Sequence, residues 1–194
     1  RRYPRRIMLA AGAFLSVQVT FYILIAFVVA YGLNSPSVDL TRDQILTSVL
    51  IAAAAMIPAL FYFSGLSDKV GRKQIYRWGA ILTGLWGFAL FPLIDTGSPI
   101  MITLAVTIGM IFLGMQYGPQ AAYFTELFST EVRYSGASLG YQIGAILGGA
   151  MAPTIAVLLW NELGIFYVSV YILAAAGLTL WSLSQLKETG GRSL

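Results

Sequence analysis

Charged residues are rare in this sequence, and their spacing constrains what the chain can fold into. The 12 basic and 8 acidic residues leave six long charge-free runs, at residues 7–38, 44–67, 78–94, 96–125, 134–161 and 163–186. Each run can supply the roughly 20 apolar residues that a helix needs to cross about 30 Å of hydrocarbon. With 58% hydrophobic residues and a mean hydropathy of +0.77, the chain is too apolar for a soluble domain of this length. We therefore predict an all-α membrane protein with six transmembrane helices, at about residues 7–31, 44–64, 77–94, 100–125, 134–160 and 164–186.

The basic residues predict how these helices are oriented. With six spans the loops alternate between the two sides of the membrane, which places every Lys and Arg except Arg42 on one side. Cytoplasmic loops carry an excess of basic residues, so both termini are expected in the cytoplasm. The formal net charge of +4 follows from this topology, and it does not indicate nucleic-acid binding.

The connection between the second and third spans combines charges with a glycine in a fixed order, SDKVGRK at residues 67–73. Asp68 can cap the turn that follows, Gly71 allows a tight bend, and Arg72 offers a planar guanidinium to a carboxylate or to helix-end carbonyls. The stretch resembles the G-x-x-x-D-[RK]-x-G-R-[RK] signature of the major facilitator superfamily, which lies between the second and third helices of each half of those transporters. Ser64 stands where that signature has its first glycine.

A second stretch, YGPQAAYFTELFSTEVRYSGASLGYQ at residues 117–142, resembles the metabolite:proton symporter branch of the same superfamily. Members of that branch carry YGPQAAFFAELFPTRVRYSGASLGYQ or a near variant where their tenth and eleventh helices meet. Ser129 replaces the proline of that pattern and Glu131 replaces an arginine, which changes the charge balance of this loop. Together the two motifs imply that residues 1–194 form the C-terminal six-helix half, helices seven to twelve, of a major facilitator superfamily fold. They also imply a missing N-terminal six-helix half as a partner.

Glycines recur every four residues in the fifth span, which places them on one face of a helix. The ridge that they form has no side chains and lets another helix approach closely. Helix packing is the simpler interpretation, and a surface on which rocking helices slide is the alternative. The ridge consists of Gly136, Gly140, Gly144 and Gly148.

Polar side chains are concentrated in the first, fourth and fifth spans. An amide that faced lipid would be costly, so the glutamines are expected to face protein or water. Hydrogen bonding between helices explains any one of these residues equally well. Taken together they favour a substrate cavity, with the candidates Gln18, Tyr22, Gln116, Tyr117, Gln120, Tyr141 and Gln142. The resemblance implies the same, because helices seven, ten and eleven of the superfamily border its central cavity.

The interior of every span lacks Asp, Glu, Lys and Arg, and the chain has no His or Cys. This inventory provides no obvious proton relay and no buried counter-charge for an ionic substrate. It also argues against the competing class of intramembrane enzymes, because no Ser/His pair, aspartate pair or metal set can be assembled.

The resemblance implies that the carboxylate that couples transport to protons lies in the N-terminal half, with Glu126 as the weaker local candidate. We expect Glu126 to belong with Arg133 to an inner gate network. Arg72 of the signature reaches this network when the cytoplasmic side is closed.

These features predict a proton-coupled secondary transporter that imports a small polar metabolite by alternating access. Its partners are the substrate, protons and the lipid bilayer. The resembled branch carries dicarboxylates, tricarboxylates, shikimate-like acids and zwitterions such as proline or betaine. It implies a bacterial cytoplasmic (inner) membrane, with no cofactor and no metal. The alternative is a self-paired six-helix channel or assembly subunit without proton coupling, whose pore is lined by the same uncharged glutamines and tyrosines.

Overall fold

The computed structural model describes residues 3–128 and 133–189 of the chain. Within this part, six helices are long and apolar enough to cross a membrane. The predicted all-α fold with six transmembrane helices is confirmed. The helices are α1 (Pro4–Asn34), α2 (Arg42–Val70), α3 (Arg72–Ile94), α4 (Pro99–Glu126), α5 (Ser135–Leu163) and α6 (Ile165–Gln185).

The connection between α2 and α3 is much shorter than the sequence predicts. Asp68 and Lys69, expected in a loop, belong to the last turns of α2, and only Gly71 is not helical. Gly71 has a φ of 115°, a conformation that a residue with a Cβ adopts only with strain. Both helices thus extend into the stretch between the predicted spans, which end near residue 64 and begin again near residue 77, and one glycine is enough to reverse the chain.

The bundle brings together elements that are distant in sequence. α2 packs against α4, α4 against α3, α3 against α6, α6 against α1, and α1 against α5. One buried apolar cluster runs through this arrangement, with Phe14, Phe27, Phe91 and Phe124 among its largest members. α1 has the largest buried share of the six helices, which places it inside the bundle.

Small residues bring α5 and α6 close to α1. A Cβ added at Gly144 would lie 2.7 Å from the Cβ of Phe14, and one added at Gly148 would lie 3.0 Å from the Cβ of Gln18. The other two ridge glycines are also close-packed, Gly140 against Ala10 of α1 and Gly136 against the ring of Phe128. Side chains at these positions would force the helices apart.

Two of the helices are not α-helical throughout. α1 contains a π-helical segment at Ile23–Phe27, and α5 contains one at Ala145–Ala150. In α5, Pro153 lies just beyond the π-helical segment, and a proline has no backbone N–H to continue the α-helical hydrogen bonds. π-Helical turns are rare and are frequent at functional sites.

The two ends of the bundle differ in charge. We call the end with the α2–α3 and α4–α5 connections the basic end; it carries Arg5, Lys69, Arg72, Lys73 and Arg77 among others. The opposite end, with the α1–α2, α3–α4 and α5–α6 connections, is the acidic end. Its charged residues are Asp39, Arg42, Asp43, Asp95 and Glu162.

Candidate functional site

Four of the predicted cavity residues line one cleft between α1, α4 and α5. This cleft, which we call the polar pocket, has a volume of about 350 Å³. It contains Tyr117, Gln120, Tyr141 and Gln142 from the sequence prediction. Its other lining residues, which the sequence did not single out, are Phe14, Ala121, Phe124, Thr125, Ala137 and Ser138.

Aromatic rings form much of the wall of the polar pocket. Phe14 and Phe124 stack with their ring centroids 4.0 Å apart. The ring of Tyr141 stands almost perpendicular to that of Phe14, at 5.3 Å and 85°. Phe14 and Phe124 are almost completely buried, whereas Tyr141 is 39% exposed. The Phe14–Phe124 pair therefore forms the buried base of the pocket, and Tyr141 forms an accessible side of it.

The polar groups of the pocket include several that the rest of the protein leaves free. Within the described residues, the hydroxyls of Tyr117 and Tyr141 make no hydrogen bond to other protein groups, and Oε1 of Gln120 is buried without a partner. Thr125 differs, because its hydroxyl donates to backbone carbonyls of its own helix at 2.9 and 3.0 Å. The tyrosine hydroxyls are consequently available to a ligand or to water.

Gln18 and Tyr22 lie beside the pocket, where α1 meets the π-helical segment of α5. Gln18 is 2% exposed, and its Nε2 makes no hydrogen bond within the described residues. A Cβ added at Gly149 would lie 2.8 Å from the ring of Tyr22 and 3.6 Å from Oε1 of Gln18. Both side chains thus face the π-helical segment of α5.

Gln116 lies away from the polar pocket. It is fully buried between α3 and α4, and its Nε2 donates a hydrogen bond of 3.1 Å to Oγ1 of Thr83. A Cβ added at Gly79 of α3 would lie only 2.7 Å from the Gln116 side chain. This contact agrees with hydrogen bonding between helices as the role of Gln116, and the small residue opposite makes room for its side chain.

A larger cleft, of about 560 Å³, lies at the acidic end between α2 and α4. It contains none of the predicted cavity residues. Ile51, Ile100 and Leu104 line it, and its hydroxyls are used between and within the helices, as in the hydrogen bond of 2.8 Å from Thr103 to Ser48. The polar pocket is thus the smaller of these two clefts, and it is the one with unpaired polar groups.

Three charged residues meet at the basic end and form what we call the ion network. The guanidinium of Arg72 donates to Oδ1 of Asp68 at 3.0 Å and also binds Oε1 of Glu126. Glu126 ends α4, so this network ties the α2–α3 connection to α4. Asp68 does not cap the next helix as expected, because its carboxylate binds the Arg72 side chain. The side chain of Arg133 lies outside the described residues.

The segment after α6 also binds the α2–α3 connection, which the sequence did not predict. A carboxylate oxygen of Glu188 accepts a hydrogen bond of 3.2 Å from the backbone N–H of Lys73 in the first turn of α3. The Lys73 side chain binds the carbonyl of Leu186, and the hydroxyl of Tyr123 donates to the carbonyl of Lys187 at 3.0 Å. A carboxylate is favourable at a helix N-terminus. The signal that the sequence offered for this contact was an acidic residue, Glu188, shortly after the last predicted span.

A second unpredicted group, the outer cluster, lies at the acidic end. The hydroxyl of Tyr31 donates to Oδ1 of Asp95 at 2.6 Å, and that of Ser35 donates to the same oxygen at 3.4 Å. These bonds join the end of α1 to the turn between α3 and α4. Phe91 and Trp160 surround the Tyr31 ring at 5.5 and 4.9 Å. The outer cluster thus anchors the part of α1 that follows its π-helical segment.

Comparison with known protein families gives a match over nearly the whole chain. The model of the sugar (and other) transporter family matches residues 2–194. The chain belongs to this family. The resemblance to the major facilitator superfamily is thereby confirmed, and the six helices correspond to one half of its fold.

The relatives agree on transport and differ in their printed descriptions. A putative metabolite transport protein of Haemophilus influenzae is 33% identical over 92% of the chain and 43% of its own length. The inner membrane metabolite transport protein YhjE of Escherichia coli is 33% identical over 100% of the chain and 44% of its own length. The shikimate transporter of Escherichia coli is 28% identical over 90% and 43%.

The chain thus spans less than half the length of these curated relatives. It is a multi-pass membrane protein of a transporter family, and it is not an enzyme. The structure brings four of the predicted cavity residues together in the polar pocket and three residues of the predicted inner gate together in the ion network.

Proposed function

We propose that this chain is the C-terminal half of a proton-coupled symporter that imports a small polar metabolite. The polar pocket is lined by the part of α4 and α5 nearer the basic end, and substrate binds there where the N-terminal half completes the pocket. Transporters with two such halves bind substrate between them and rock one half against the other. The basic end lies in the cytoplasm, since cytoplasmic loops carry an excess of basic residues. The inner membrane metabolite transport protein YhjE among the relatives supports a bacterial inner membrane.

This proposal rests on one observation: the polar pocket, which is open to a ligand, lies next to the ion network, which can close the basic end. Glu126 of the ion network lies one residue beyond Thr125, which lines the pocket. A change at the ion network therefore reaches the pocket through α4. Partly exposed ion pairs are individually weak, which suits a closure that must open in every transport cycle.

The coupling proton is assigned to the N-terminal half, because the ion network already engages the acidic residue nearest the pocket. Glu126 is the alternative within this chain, since its Oε2 is buried and makes no hydrogen bond to another described residue. Glu126→Gln separates the two assignments. Because this variant also loses the ion pair with Arg72, its uptake should be slower. If the proton binds elsewhere, the uptake that remains still depends on the pH gradient; if Glu126 carries the proton, it no longer responds to the gradient.

Uptake by the complete transporter in proteoliposomes tests the function itself. We expect a small organic acid or zwitterion to accumulate when the outside is made acidic, and a protonophore to abolish the accumulation. The rate saturates with solute concentration because a carrier binds each molecule before it moves. A rate that rises without saturation and ignores the pH gradient would replace this proposal with the self-paired channel.

A further inference from the structure

A side chain of α6 binds the backbone of α1 between two groups that normally pair with each other. The hydroxyl of Thr179 donates to the carbonyl of Gly12 at 2.9 Å and accepts from the backbone N–H of Ser16 at 3.0 Å. In an α-helix the carbonyl of one residue accepts from the N–H four residues later, so these two groups are each other's usual partners. We call Gly12, Ser16 and Thr179 the α1 joint.

The α1 joint is buried, and α6 approaches it closely. Ser16 and Thr179 are both fully buried. A Cβ added at Gly12 would overlap Oγ of Ser182, which lies on the turn of α6 that follows Thr179. A larger residue at Gly12 would therefore push α6 away and take the Thr179 hydroxyl out of reach of the α1 backbone.

The Thr179 hydroxyl lowers the cost of opening this turn of α1. Helices bend sharply where a side chain inserts into their i→i−4 hydrogen bonds. Within a membrane no water is present to pair with freed backbone groups, and Ser or Thr side chains of neighbouring helices can pair with them instead. A hydroxyl has one donor and two acceptor lone pairs, so that of Thr179 satisfies both the Gly12 carbonyl and the Ser16 N–H. α1 consequently bends more easily at this turn than at a turn without such a partner.

A bend at the α1 joint acts on the polar pocket through Phe14. Phe14 is two residues from both Gly12 and Ser16, about 200° around the helix, so its ring projects from the other side of α1. That ring lines the polar pocket and stacks on Phe124 of α4. Movement at the joint therefore shifts the base of the pocket relative to α4.

From this arrangement, and given the proposed transport function, we propose that Thr179 is a positioning residue of the transport cycle. Its hydroxyl keeps the α1 backbone satisfied while α1 bends at the joint, and the bend moves Phe14 as the two halves rock against each other. Thr179 does not line the polar pocket, so it acts through α1 on the step that follows substrate binding.

Removing the hydroxyl tests the proposal in the complete transporter. Thr179→Val keeps the shape of the side chain, but opening the turn then leaves the Gly12 carbonyl and the Ser16 N–H unpaired. We expect the maximal uptake rate per inserted molecule to fall about fivefold, an effect of the size of one net hydrogen bond. The solute concentration for half-maximal uptake should change by less than about twofold, because substrate binding itself is unaffected. Thr179→Ser keeps the hydroxyl and should restore at least about half of the maximal rate.

Tyr76→Phe is the matched control. The Tyr76 hydroxyl is also buried in the bundle, and it donates to the adjacent carbonyl of α1, that of Ala13, at 2.9 Å. It donates to this carbonyl without accepting from an N–H of α1, so its loss leaves the hydrogen bonds along α1 complete. We expect Tyr76→Phe to keep the maximal rate within about twofold.

Two results would overturn the proposal. A maximal rate that is unchanged in Thr179→Val would show that the hydroxyl only holds α6 against α1, and an equal loss in Thr179→Val and Tyr76→Phe would show the same. If Thr179→Val does not insert into the membrane, Thr179→Ala and Thr179→Ser make the comparison instead, since they differ only in the hydroxyl oxygen. Equal maximal rates in that pair would also overturn the proposal.

The outcome also distinguishes this inference from the transport function. If the unmodified transporter takes up solute with a pH gradient and Thr179→Val does so at the same rate, the positioning role is wrong and the function stands. If the unmodified transporter moves no solute, the transport function fails and the positioning role falls with it.

Discussion

The two ends of the bundle are closed by different chemistry. At the basic end, Arg72 joins Asp68 and Glu126 through ion pairs. At the acidic end, the hydroxyl of Tyr31 joins Asp95 through one short hydrogen bond, and aromatic rings surround it. Ion pairs near a surface are weakened by salt and exchange easily, whereas a bond to a buried phenol is held by packing around the ring. The difference suggests that the basic end is the more readily opened of the two.

Removing Arg72 should have the largest effect on uptake, because it breaks both ion pairs together and takes the cationic partner away from Glu126. We expect Arg72→Ala to reduce uptake by the complete transporter by about tenfold, equivalent to 1.4 kcal/mol on the rate-limiting step. Initial rates of uptake at equal amounts of inserted protein measure this.

The matched control is Arg77→Ala, which removes an exposed arginine from the same end of α3 and should leave uptake close to normal. Normal uptake in Arg72→Ala would show that the ion network has no part in transport.

At the acidic end, Tyr31→Phe removes a single hydroxyl and keeps the ring. A hydrogen bond to a charged group contributes about 1.5–3 kcal/mol, so the end of α1 should open more often. Hydrogen exchange of amides 28–34 should accelerate by about tenfold or more, while amides in the middle of α4 stay protected.

Tyr167→Phe is the control, because Tyr167 is exposed at the same end on α6. If Tyr31→Phe and Tyr167→Phe exchange alike, the outer cluster does not anchor α1.

The glycine at the α2–α3 connection offers a third comparison. Gly71→Ala should destabilise the basic end by about 1–2 kcal/mol, because a Cβ is strained at a φ of 115°. The added Cβ would also lie 3.1 Å from a carboxylate oxygen of Glu188. Thermal unfolding of the detergent-solubilised protein measures the loss.

Gly65→Ala in α2 is the matched control, since its added Cβ would have no neighbour within 4 Å and alanine favours a helix. It should leave the unfolding temperature unchanged or slightly higher. An equal loss in both variants would refute the role of backbone strain at Gly71.

The smallest effect is expected from salt. Raising the ionic strength from about 0.1 M to about 1 M shortens the screening length from about 10 Å to about 3 Å. Amide exchange at residues 66–72 should then accelerate by less than about fivefold, and exchange at residues 28–34 should hardly change. Equal acceleration at both ends would contradict the contrast between them.

The number of helices and the glycine ridge could be predicted from the sequence, because both depend on local periodicity. Charge-free runs measure span length directly, and a four-residue repeat stays on one helix face whatever surrounds it. Gln116 shows the limit of the same reasoning. One turn separates it from Gln120, yet Gly79 of α3 leaves room for the Gln116 side chain and Thr83 accepts its hydrogen bond between the helices.

The contacts made by the chain after α6 could not be predicted locally. Glu188 binds the backbone of Lys73 across 115 residues of sequence, and nothing in either segment specifies the other. The same holds for Tyr31 and Asp95, which are 64 residues apart. In each case tertiary packing, rather than a sequence pattern, decides which acid meets which donor.

The most direct test of the account asks whether substrate occupies the polar pocket. The chain contains no cysteine, so a cysteine-free form of the complete transporter can carry Ser138→Cys in the pocket or, as a control, Ser135→Cys one turn earlier on α5. Transported substrate should slow the reaction of Ser138→Cys with a small thiol reagent at least about fivefold, as expected when a bound ligand covers most of a site, and leave Ser135→Cys unaffected. Equal reaction rates at Ser138→Cys with and without saturating substrate would place the binding site elsewhere.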